Sequence, residues 1–315
     1  MSSKPKSSGS KSTGPADHSA EHFGPQREFW WNRDFLDLMA TRWRLSEAAS
    51  LADIGCGLCH WSRLLYPYLQ PPARFAGVDR EAAWVARGER SFRGEFPNVA
   101  PDLLTFVKGD AAQIPLPDGS FDVVTCQTVL MHLPRPLDAL GEMLRILRPG
   151  GLLVCVEPSN LWNYMPMSSL TLTEPTESLV RQFEFWLRCH RGRIQAGEGD
   201  YNIGDLLPGY FAQAGLKAIT VHQSDRAAAL FPPHDTPAQR AVLEQQRRWK
   251  ETATGPWDRE ELRRLMLAGG GAEALFEQVF AELVEKHERE QQAIAAGTFH
   301  AANGAVTYLV SGRKP

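Results

Sequence analysis

Between Phe29 and Trp43, apolar residues recur at helical spacing through Phe35, Leu36, Met39 and Trp43. The pattern predicts an amphipathic helix with an aromatic front, Trp30 and Trp31. Further along, short apolar runs alternate with stretches long enough for one helix each. The runs are Leu51 to Ile54, Phe75 to Val78, Leu104 to Val107, Phe121 to Cys126 and Leu152 to Val156. This rhythm predicts βαβ units and a mostly parallel sheet covered on both faces. Arg148-Pro149-Gly150-Gly151 reads as the stop signal of the helix before the fifth run.

After Pro158 the rhythm breaks. Residues 159–204 read as an insertion with one amphipathic helix, whose face carries Leu179, Val180, Phe183, Trp186 and Leu187 and which Gly192 ends. The alternation resumes over 205–223, with a helix near Ile203 to Gly215 and a strand near Ala218 to His222. A longer interruption spans 224–297, and its best helix carries Leu275, Phe276, Val279, Phe280, Leu283 and Val284. The stretch 298–315 supplies the last strand, near Ala305 to Ser311. The expected architecture is α/β: a Rossmann-like, mostly parallel seven-stranded sheet, helices on both faces, and helical lid insertions.

Composition changes this picture little. The chain has 315 residues, 43% hydrophobic and 23% charged, enough for a sizeable core. A formal net charge of −3 leaves no basic footprint for a nucleic acid, so none is expected as partner. The first 24 residues hold almost nothing apolar and read as a disordered tail, so the N-terminal helix and core should occupy 25–158. Cys56, Cys59, Cys126, Cys155 and Cys189 form neither a disulfide framework nor a zinc pattern, and no metal site is expected. With no signal-like segment and no run long enough to span a bilayer, a cytoplasmic monomer or homodimer is expected.

The segment Leu51-Ala52-Asp53-Ile54-Gly55-Cys56-Gly57-Leu58-Cys59-His60-Trp61 is a strand, a tight glycine turn and a helix start. Glycine admits positive φ and close ligand approach, and ligands bind open α/β sheets at the carboxyl ends of their strands. Asp79 ends the second strand at a spacing suited to ribose hydroxyls. A dinucleotide turn would read G-x-G-x-x-G/A, but its last position here is His60. A carboxylate at Asp53 suits the α-ammonium of a bound amino acid, which adenosylmethionine carries and a dinucleotide lacks.

These residues resemble the first motif of class I S-adenosylmethionine-dependent methyltransferases, of the small-molecule type that includes the ubiquinone and menaquinone enzymes. The resemblance continues through Val78-Asp79, then Gly109-Asp110-Ala111 with Ile114-Pro115. It extends through Phe121-Asp122-Val123-Val124, Leu130-Met131-His132-Leu133 and Leu147-Arg148-Pro149-Gly150-Gly151. It covers about residues 50–158 and the last two strands. It implies S-adenosylmethionine as cofactor, held by Asp53, Gly55, Cys56, Gly57, Asp79, Arg80, Asp110, Ala111 and Gln127. Asp79 would hold the ribose and Asp110 the adenine amine. The chain departs at Cys59, where the family often has a third glycine.

Methyl transfer is an in-line displacement that requires alignment and exclusion of water. In the family the acceptor sits above strands four and five, which makes His132 and Glu157 the candidate catalytic residues. The lid is expected from three pieces: the aromatic front of the first helix and the two insertions. Trp31, Asn160, Trp162, Tyr164 and His300 are the candidate substrate contacts, with Asn163, Met165, Met167 and Asn303 near them. A small-molecule acceptor, methylated at O, N, S or activated carbon, is the leading expectation. A macromolecular acceptor (RNA or protein) would need a basic groove, and the chain offers only clusters such as Arg247-Arg248 with Lys250. A protein that binds the cofactor without methylating is the third reading.

Overall fold

Seven strands form one sheet in the order β3-β2-β1-β4-β5-β7-β6 in a computed structural model of the chain, which describes residues 27, 29–164, 167–302 and 306–315. The strands are β1 (Ser50–Ile54), β2 (Arg74–Asp79), β3 (Leu104–Lys108), β4 (Phe121–Gln127), β5 (Leu147–Ser159), β6 (Lys217–Gln223) and β7 (Val306–Arg313). The first five run parallel, and β7 is antiparallel to both neighbours. The mostly parallel, Rossmann-like sheet expected from the apolar rhythm is therefore present. The expected tail, Met165 and Asn303 lie outside the described residues, as does the side chain of Asn163.

Both faces of the sheet are covered. Helix α1 (Arg33–Trp43) buries Leu36, Met39, Ala40 and Trp43 against one face, together with Trp61 from α2 (His60–Leu65) and Phe92 from α3 (Ala82–Glu95). On the opposite face lie Ala139, Leu140, Met143 and Ile146 of α4 (Pro136–Ile146) and Leu207 and Phe211 of α6 (Leu207–Gln213). Strand alternation divides the residues. Val123 points to the α1 face, and Val124 and Cys126 to the other.

The two insertions pack on each other and share a core of their own. Helix α5 (Thr176–Gln195) comes from the first; α7 (Pro237–Thr252), α8 (Arg259–Ala268) and α9 (Glu273–Ala295) come from the second. Phe185, Trp186, Cys189, Leu262, Leu265, Met266, Phe276 and Val279 fill the space between them. Gly192 does not end α5, which continues to Gln195. It lies where α5 and α8 cross, and a Cβ there would sit 1.8 Å from the Leu265 carbonyl oxygen. Close backbone approach, not helix termination, is what requires glycine at this position.

One further expectation changes. The fifth strand starts at Leu147 and includes the Pro-Gly-Gly turn, with a register shift opposite Phe121 and Val123. The first helix seats its apolar stripe in the sheet core.

Candidate active site

The glycine turn leaves the carboxyl end of β1 and folds toward β2. Both Gly55 and Cys56 donate their N–H to the Val78 carbonyl, at 2.7 and 2.9 Å. Gly55 and Gly57 have φ of +71° and +50°. A Cβ on Gly55 would also lie 2.4 Å from Cγ2 of Val129 in the turn after β4. Cys59, at the departure from the family pattern, has φ +57° and precedes α2. Its left-handed backbone explains why glycine suits that position.

Asp79 closes the turn from the β2 side. One carboxylate oxygen accepts the Gly57 N–H and the other the Glu81 N–H, both at 3.0 Å. Burial raises its pKa above the ordinary carboxylate range. Asp53 is more deeply placed. Burial, opposed by hydrogen bonding from Ser62 and aided by the Asp79 charge, raises its pKa to about 7. Strand register sets Asp53 beside Thr125, whose hydroxyl accepts the Trp61 indole N–H at 2.8 Å. Trp31 packs against Trp61 with ring centroids 4.9 Å apart. At 8% exposure Trp31 is part of the sheet-side core, which overturns its expected place in a lid.

Asp110 follows β3, is exposed, and accepts the Ala112 N–H at 2.8 Å; Ala111 packs on the edge of the core. Arg80 is exposed beside Glu81. Gln127 ends β4, and its buried amide nitrogen has no hydrogen-bond partner among the described residues. Asp53, Asp79 and Gln127 thus lie at the carboxyl ends of three strands of one sheet, with the bare backbone of Gly55 and Gly57 beside them. His60 opens α2, where burial and the charges of Arg27 and Arg63 hold its pKa down at about 4. Its imidazole is therefore neutral at pH 7.

Glu157 ends β5 and is fully buried. One carboxylate oxygen accepts the N–H groups of Val129 and Leu130 at 2.8 Å each, and the other accepts that of Met131 at 3.3 Å. Burial raises its pKa to about 7 despite these bonds. Both oxygens accept backbone N–H groups, so the geometry makes Glu157, expected as a catalytic residue, a support for the turn. His132, at the end of that turn, is exposed and sits edge-on to Tyr201 at 5.3 Å.

The expected substrate contacts separate. Asn160 follows β5 and donates its N–H to the Tyr201 carbonyl at 3.2 Å, tying the first insertion to the strand end. Tyr164 stacks on Trp186 at 4.2 Å inside the cap core. Burial pushes its hydroxyl up to about 12. Trp162 is 65% exposed and turns outward. His300 pairs with Ser169 and with the Thr298 carbonyl at the base of the cap. Apolar helical spacing located the segments but not the direction each ring takes. The sequence reading also missed Ser62, Thr125, Val129 and Tyr201. Their roles come from strand register and loop packing, for which the chain carries no local motif.

A family model described as a methyltransferase domain matches residues 52–155. Residues 52–155 form a class I methyltransferase domain. The cofactor of the methyltransferase domain is S-adenosylmethionine, and the residues present fit it. The left-handed glycines give bare backbone, Asp79 still has lone pairs beyond its two amides, and Gln127 offers a buried donor. Over 130 residues this chain is 30% identical to a demethylmenaquinone methyltransferase of Listeria monocytogenes serotype 4a (strain HCC23). That match covers 41% of this chain and 51% of the relative. The chain therefore spans about half the length of the Listeria relatives it matches. A demethylmenaquinone methyltransferase of Lysinibacillus sphaericus (strain C3-41) is 28% identical over 207 residues, covering 65% of this chain and 83% of that one. The solved structure of the BH2331 protein from Bacillus halodurans C-125 superposes with a TM-score of 0.52 at 16% identity. It covers 90% of this chain and 99% of that one, a likeness of fold alone.

Proposed function

We propose that this chain transfers a methyl group from S-adenosylmethionine to a small-molecule acceptor held between the ends of β4 and β5 and the helical cap. The cofactor, when bound, supplies an electrophilic methyl on a sulfonium. Asp79 holds the ribose hydroxyls, Asp110 the adenine amine, and Asp53 the ammonium; Gly55, Cys56, Gly57, Arg80, Ala111 and Gln127 complete the site. His132 is placed to take a proton from the acceptor.

The observation that carries the small-acceptor reading is how the cap is seated. A Cβ on Gly199 would lie 2.1 Å from the Met131 carbonyl oxygen, so the cap backbone rests directly on the turn that bears His132. A cap in contact with that turn favours a closed pocket, which excludes water from the displacement. Within the basic cluster considered for a macromolecule, Arg247 is held by Glu244 and Glu251 at 2.6 Å each. The Listeria and Lysinibacillus relatives are named for a small-molecule acceptor, which supports the same class here.

Labelled S-adenosylmethionine offered with a metabolite extract, total RNA or a protein lysate tests the proposal. Label is expected in the small-molecule fraction. Label in RNA or protein, or none in any fraction, overturns it. With the acceptor so identified, His132→Ala should lower kcat about 10²–10⁴-fold, the range for a lost general base, with cofactor affinity intact. Unchanged turnover removes His132 from that role.

A further inference from the structure

The turn formed by residues 129–132 touches both halves of the protein. On one side, Val129 fills the space that a Gly55 side chain would need, so the cofactor turn lies against it. On the other, the Gly199 backbone lies on Met131 and His132, and the Tyr201 ring meets the His132 ring. Gly204 also packs closely on the Glu157 carbonyl, where a Cβ would be 2.6 Å away. Leu130–His132 is a single 3-10 turn. Its leading N–H groups have no partners within so short an element. Glu157 on the neighbouring strand supplies the partner: its buried carboxylate accepts the N–H groups of Val129, Leu130 and Met131.

We propose that Glu157 is a positioning residue that clamps this turn, so that the cofactor turn at Gly55 and the cap loop at Gly199 bear on one rigid pivot. Resting on the cofactor reading above, this clamp makes occupancy of the cofactor site felt in the cap. Ligand contact that tightens the Gly55 turn presses on Val129, and the clamped backbone passes that restraint to residues 197–204. Glutamine at position 157 keeps one oxygen acceptor but presents an NH2 group to backbone donors, so the turn loses part of its hold.

A purely local role would cost stability and leave the coupling intact, so the test reads the coupling. Hydrogen exchange is followed with and without saturating S-adenosylhomocysteine in the wild type and in Glu157→Gln, at a temperature where both are folded. The wild type should gain protection at 53–60 and also at 197–204. Glu157→Gln should bind roughly threefold to tenfold more weakly, as partial loss of charge-assisted bonds implies. At saturation it should keep the gain at 53–60 and lose it at 197–204. Val129→Ala, which leaves the carboxylate and its bonds in place, should uncouple the same two segments, and it decides the matter if Glu157→Gln does not fold. Cap protection that responds to ligand equally in the folded variants and the wild type overturns the clamp. So does a wild type whose cap ignores the ligand. A wild type that fails to bind overturns the cofactor reading and the clamp with it.

Discussion

Asp53 should couple cofactor binding to proton release. Its carboxyl is fully buried, and burial lifts its pKa to about 7 from an ordinary value of 3.8. At pH 6 such a group is about 0.9 protonated, and at pH 8 about 0.1. A ligand α-ammonium prefers the charged form, so binding should expel close to one proton at pH 6. Affinity should then fall about tenfold for each pH unit below 7, since one proton competes with one ligand. Calorimetry with S-adenosylhomocysteine, in two buffers of different ionisation heat between pH 5.5 and 7.5, measures the released proton directly. Asp53→Asn should abolish the release and flatten the affinity profile. The same shift carries a stability consequence. A carboxyl with a raised pKa stabilises the fold below the unfolded value, and that stability is lost as pH rises from about 4 through 7. Release unchanged in Asp53→Asn, or an affinity flat across that range, refutes the ammonium contact.

Two further outcomes are expected. Asp79→Ala should weaken S-adenosylhomocysteine binding about tenfold or more, given roughly 1.5–3 kcal/mol for hydrogen bonds to a charged group, and should also free the Gly57 and Glu81 amides. Calorimetric affinity equal to the wild type would remove Asp79 from the ribose. Gly192→Ala places a Cβ against the Leu265 backbone and should destabilise the cap by about 1–3 kcal/mol, the usual cost of overpacking. Thermal unfolding and hydrogen exchange over α5 and α8 check it, and an unperturbed cap refutes the close crossing.

The sheet and the cofactor turn were legible in the chain because their information is local. Apolar runs at βαβ spacing specify buried parallel strands. A carboxylate, two glycines and a second carboxylate 22 residues after Gly57 specify a turn whose backbone must be bare. The Cys59 departure was legible as a question, and its left-handed backbone answers it. What the chain did not reveal is which way side chains turn once the insertions fold. Trp31 and Trp162 are both candidate substrate contacts in the sequence, yet one packs on Trp61 and the other faces solvent, because that depends on which helices meet above them. Gly192 reads as a helix end, and only the crossing of α5 with a helix 70 residues away makes it a contact. Glu157 reads as a reactive carboxylate near the acceptor. Tertiary structure brings the turn after β4 against it, and the unpaired N–H groups of that turn take both its oxygens. Sequence determines what each segment can form. Packing between distant segments decides which polar groups remain available for chemistry, since most buried donors are taken up by acceptors.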